Sequence, residues 1–101
     1  MMKSNWLMMT GETGELGHEL QALYRDSEKK TAFDAKTFQF VYIAYLASAG
    51  IIQGVRKHVK NAKEAGATRE EIQSIFTAGF AVGGARLAEA YAAAMASYDE
   101  A

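Results

Sequence analysis

His58 is the side chain with the clearest capacity for chemistry. It stands seven positions after Ile51, and at about 100° per residue that spacing puts the two side chains within roughly 20° of one another on a helix. Val55 lies one turn before it and Ala62 one turn after, so the imidazole sits on or beside an apolar face. Partial burial there tunes a histidine into the range of a general base. The same placement suits a core histidine whose ring nitrogens bond a carbonyl or a neighbouring side chain and do nothing else. Arg86 follows Gly83-Gly84 at a helix start, where backbone N–H groups and a guanidinium can hold an anion or a carboxylate. A tight interhelical turn with a solvent-facing arginine is the plainer alternative.

Other chemistry is poorly supported. Glu15 and His18 have the i, i+3 spacing of half a di-metal bundle site, but at the position matching Glu15 before His58 stands Val55, so no metal site is expected. Gly11, Gly14 and Gly17 have no following Gly-Lys-Ser/Thr, and the phosphate-cradling geometry is missing. Phe38, Phe40, Tyr42 and Tyr45 could line an apolar ligand pocket, yet their helical spacing fits core and subunit interface better.

Composition narrows the classes further. Eleven basic residues against twelve acidic ones leave a net charge of −1, without the basic excess that nucleic acid or an anionic membrane requires. Arg56, Lys57, Lys60 and Lys63 are a solvated basic face with no aromatic interleaving. The sequence has no cysteine, which excludes disulfides, thiol nucleophiles and thiolate metal sites. The most apolar stretch, residues 38–52, is interrupted by Gln39, Ser48 and Gly50 and falls short of the roughly 18 residues of a membrane span. The first residues lack the apolar segment of a secretory signal, so a cytoplasmic location is expected.

The elements that must position these residues are all helical. At 101 residues the chain is the size of one domain, and it contains no proline, which suits helices throughout. Residues up to about Thr10 show no period and are expected to form an arm. Leu16, Leu20 and Leu23 mark a first helix from Glu15 that fades into a solvated linker at residues 26–30. Asp34 is a good N-cap for a second helix carrying Phe38, Val41, Tyr42, Tyr45, Leu46 and Ala49 on a wide apolar face, ended by Gly50. A third, from about Ile51, turns Ile52, Val55, Val59 and Ala62 inward and ends at Gly66. Thr68 and Glu71 fit a capping box for the fourth, broken by Gly83-Gly84. The last, from about Ala85 to Tyr98, has one stripe of Ala88, Ala92 and Ala96 and another of Leu87, Tyr91 and Met95. The expected fold is a single all-α bundle of about five helices. Eleven aromatic residues in so short a chain exceed what one small core buries, so a homo-oligomer is expected.

The run from His58 through Ala65-Gly66-Ala67-Thr68 to Glu70-Glu71-Ile72 resembles the core motif of the carboxymuconolactone decarboxylase family, which includes the alkylhydroperoxidase D-like proteins. Phe33-Asp34-Ala35-Lys36-Thr37 is similar to that family's Leu-Asp-Pro-Lys-Thr helix start, and Gly83-Gly84 with the helix after it is similar to its glycine-rich C-terminal segment. The resemblance implies an all-helical subunit assembled into homotrimers or homohexamers. Its redox branch reduces peroxides with Cys-x-x-Cys-x-x-x-His and an upstream glutamate. Carried onto this chain, the cysteine positions fall on Ile51 and Gly54, the histidine on His58 and the glutamate on Gln39. Dithiol peroxidase activity is therefore expected to be absent. The family's decarboxylase branch also lacks the cysteines, and there the resemblance implies cofactor-free chemistry on a small-molecule carboxylate. His58 would be the base, Gln39 would lie near it as a substrate-binding residue, and Arg86 or a helix N-terminus would hold the carboxylate. A non-catalytic oligomeric scaffold or small-ligand-binding protein is the alternative.

Overall fold

The computed structural model describes residues 5–101. The five expected helices are present as α2 (Gly14–Lys30), α3 (Ala35–Ala49), α4 (Ile52–Glu64), α5 (Arg69–Gly83) and α6 (Leu87–Glu100). A further helix, α1 (Asn5–Glu12), precedes them, and a 3₁₀ turn (Gly84–Arg86) joins α5 to α6. There is no strand among the described residues, and none of their helices is long and apolar enough to cross a membrane. The chain divides into two compact units at the Ala32–Phe33 boundary.

In the first unit α1 and α2 form a hairpin. The segment expected to be a period-less arm is thus helical from Asn5. Local bonds explain it: Thr10 Oγ1 donates to the Trp6 carbonyl at 2.9 Å and Thr13 Oγ1 to that of Met9 at 2.8 Å. Gln21 Nε2 reaches back across the hairpin to Thr10 Oγ1 at 2.7 Å. Gly17 marks the closest approach, since a Cβ there would overlap the Thr10 carbonyl. The linker expected at residues 26–30 is instead the last turn of α2. Lys30 pairs with Asp26 one turn earlier at 3.5 Å, and Lys29 and Lys30 complement the helix dipole.

Phe33–Ala101 form the second unit, and its helix boundaries follow their local signals. Asp34 caps α3 by accepting from the Thr37 N–H at 2.7 Å. Gly50, at φ 75°, turns the chain out of α3 in the left-handed region. The capping box of α5 is complete: Glu71 N–H donates to Thr68 Oγ1 at 3.1 Å, and Thr68 N–H to Glu71 Oε1 at 2.9 Å. The Glu71 carboxylate also receives Lys36 Nζ at 3.1 Å, tying the start of α5 to that of α3.

The core draws Ile43 and Ala47 from α3, Val55, Val59 and Ala62 from α4, Ile72 and Phe76 from α5, and Leu87, Ala90, Ala94 and Met95 from α6. On α4 this is the expected face, with Ile52 half-buried at its start. On α3 it is so only in part. Phe38 is buried as expected, but with Gln39, Ile43 and Ala47, while Val41, Tyr42 and Leu46 are half-buried and Tyr45 is 75% exposed. Beyond Lys36 this helix is apolar nearly all round, so its period does not select a side, and packing against α4 does. On α6 the alanine stripe is displaced in the same way: Ala90 and Ala94 are buried, whereas Ala88 and Ala92 are exposed.

Candidate functional site

His58 projects from α4 toward α3. Its neighbours one turn either way, Val55 and Ala62, are both fully buried, and the histidine itself is half-buried on the flank of that face. Ile51, the residue used to orient it, caps α4 and is half exposed, so the ring's position follows from Val55 and Ala62 alone.

Across the seam, His58 Nδ1 lies 2.7 Å from Gln39 Oε1. Gln39 is only 4% exposed. An amide oxygen can only accept, so Nδ1 carries the proton and Nε2 the basic lone pair. A glutamine reads the imidazole's tautomer without offering a charge to stabilise imidazolium, as a carboxylate would. Burial, followed by the positive charge of Lys57, lowers the His58 pKa from 6.5 to about 4. The ring is therefore neutral at pH 7.

Tyr42 completes the setting. Its ring centroid is 4.5 Å from that of His58, at an interplanar angle of 37°, and Phe38 stacks on Tyr42 with centroids 5.5 Å apart. Gln39 and Tyr42 are spaced i, i+3 on α3, so both face the same stretch of α4. Burial raises the Tyr42 phenol above its ordinary pKa. Composition places Tyr42 in an aromatic set, and only the structure makes it a wall against the imidazole. The signal was the i, i+3 spacing from Gln39, which becomes readable once His58 is known to face that side.

Arg86 belongs elsewhere. It is exposed at the end of the 3₁₀ turn, which packs against α5 and α6. No hydrogen bond or ion pair joins it to His58 or Gln39 among the described residues. Glu15 and His18 are both exposed on α2, and among the described residues no three His, Asp or Glu side chains converge as a metal site would need. The structure thus brings together His58, Gln39 and Tyr42, and leaves Arg86 on another pair of elements.

Comparison with known proteins agrees with this framework. The model of the carboxymuconolactone decarboxylase family matches residues 15–96. No curated protein and no solved structure matches the chain. The matched stretch takes in α2 to α5 and most of α6, with Gln39, His58 and Arg86 inside it, and the chain belongs to that family.

Proposed function

We propose that this family member is a cofactor-free decarboxylase or lactone-acting enzyme on a small carboxylate, with His58 Nε2 as the base. The 2.7 Å bond from Nδ1 to the buried Gln39 carbonyl carries the reading, because it fixes which nitrogen can take a proton. Tyr42 and Phe38 supply an apolar wall for the uncharged part of the substrate. An imidazole with a pKa of about 4 is a weak base toward a neutral molecule. A carboxylate bound beside it raises that pKa, so an anionic substrate strengthens its own base. With no cysteine in the sequence, dithiol peroxide reduction is expected to be absent.

The test is carbon dioxide release from carboxymuconolactone, with the His58 ring followed by NMR in the same samples. Turnover that His58→Gln abolishes, and an upward shift of the His58 pKa on substrate addition, are expected. A ring indifferent to the lactone in a chain without turnover would overturn the reading. Assembly would then be the retained property. The large apolar side chains left exposed on the chain, among them Leu16 and Leu23 at 65% each and Val82, support a homotrimer or homohexamer under either outcome.

A further inference from the structure

The seam between α5 and α6 differs in kind from that between α3 and α4. Between α5 and α6 lies a groove of about 480 Å³, within the size range of small-molecule sites. Phe76 and Tyr91 form one wall, edge to face at 5.4 Å and 87°, a contact that locks both rings in place. Leu87 and Phe80 add apolar surface, and Ala88 contributes only a methyl group to the lining. No charged side chain lines the groove. A charged ligand would lose hydration there without finding a counter-charge.

One polar feature is fixed in this apolar setting. Gln73 Nε2 donates to Tyr91 Oη at 3.1 Å, and both residues line the groove. The amide uses one lone pair of the phenol oxygen, and the phenol's own hydrogen meets no acceptor among the described residues. A rigid ring with one unspent donor selects a ligand with one acceptor. We propose that the α5–α6 groove binds an uncharged, aromatic-sized molecule carrying a single hydrogen-bond acceptor, which the Tyr91 hydroxyl engages. This site uses none of the residues around His58 and goes beyond the function proposed above.

Three probes of matched shape test it on the full chain by NMR titration: 2-acetylnaphthalene, 2-ethylnaphthalene and 2-naphthoate. The ketone is expected to bind saturably, with backbone shifts confined to α5, the 3₁₀ turn and α6. The ethyl compound, which lacks the acceptor, should bind about tenfold more weakly, and the naphthoate at least as weakly. Tyr91→Phe keeps the ring and its packing, so it should bring the ketone down to the affinity of the ethyl compound and leave the latter unchanged. Ala88→Leu should block all binding, and if that variant fails to fold, Tyr91→Phe decides alone. His58→Gln should bind the ketone as the parent does, which keeps failure here separate from failure of the proton-transfer reading. Equal affinity for all three probes, or a ketone affinity unmoved by Tyr91→Phe, would overturn the proposal. So would shifts in these residues that grow with protein concentration while no probe binds, because a second copy would then fill the groove.

Discussion

The α3–α4 and α5–α6 seams are built from similar residues and do opposite things with them. At the first, a histidine and a glutamine hydrogen-bond across the helices beside a tyrosine, so the polar atoms have one arrangement. At the second, Phe76 and Tyr91 meet edge to face and leave an uncharged volume beside them. The connections differ as well. Gly50 reverses the chain between α3 and α4 in a tight left-handed turn, with the Ile51 N–H donating to the Leu46 carbonyl at 2.9 Å. Three residues of 3₁₀ helix lie between α5 and α6 instead.

The same kind of truncation should therefore have unequal effects at the two places. Ile43 is fully buried on α3, and Ile43→Ala is expected to cost about 3–5 kcal/mol, because it opens a sealed void. Leu87 already borders the groove, so Leu87→Ala should cost only about 2–3 kcal/mol. Urea unfolding of both variants at pH 7 measures the difference, and equal losses would break the distinction between the seams.

Acid should act on the first seam through His58. Its pKa is about 4 in the folded chain against 6.5 for the ordinary group, so above pH 6.5 neither state binds the proton. As pH falls from 6.5 to 4 the unfolded chain takes it up first, and stability drops by about 3 kcal/mol over that window. The carboxylates of Asp34, Glu71 and Asp99, whose pKa values are held down by hydrogen bonds, lose their contribution mainly below it. His58→Gln should flatten the loss between pH 6.5 and 4.5 in matched urea titrations, and an unchanged slope would show that the ring is not desolvated. Next in size is Gln39→Leu, which strands the Nδ1 proton and should cost about 1–3 kcal/mol. Adding His58→Leu should recover most of that, since neither polar group then remains unpaired; no recovery in the double variant would mean that the two residues act independently.

How much of this was legible beforehand depended on whether a signal was local. Asp34, Gly50, Gly66 and the Thr68–Glu71 box set boundaries through atoms within a few residues of each other, and all four behave as their types dictate. The rotation of α3 was not legible, because Phe38, Val41, Ile43 and Leu46 are each apolar enough to face inward, and the choice among them belongs to α4. For the same reason His58 could be placed beside an apolar face while its partners could not be derived from spacing. Gln39 came forward only through family resemblance. The helix at Asn5–Glu12 was missed because its side-chain-to-carbonyl bonds leave no hydrophobic period.

Arg86 provides the smallest and most discriminating change. Its side chain is exposed and makes no ion pair among the described residues, so Arg86→Gln should alter stability by less than about 0.5 kcal/mol. The stronger expectation concerns His58. A cation close enough to hold a carboxylate against that imidazole would also lower its pKa, and among the described residues the only cation lowering it is Lys57. Removing the guanidinium should therefore leave the His58 titration, followed by NMR, where it was. A rise in the His58 pKa in the Arg86→Gln chain would join the two seams electrostatically, with the arginine and the imidazole serving one carboxylate. An unmoved titration would leave the imidazole to work with what α3 alone presents to it, an amide oxygen and the Tyr42 ring.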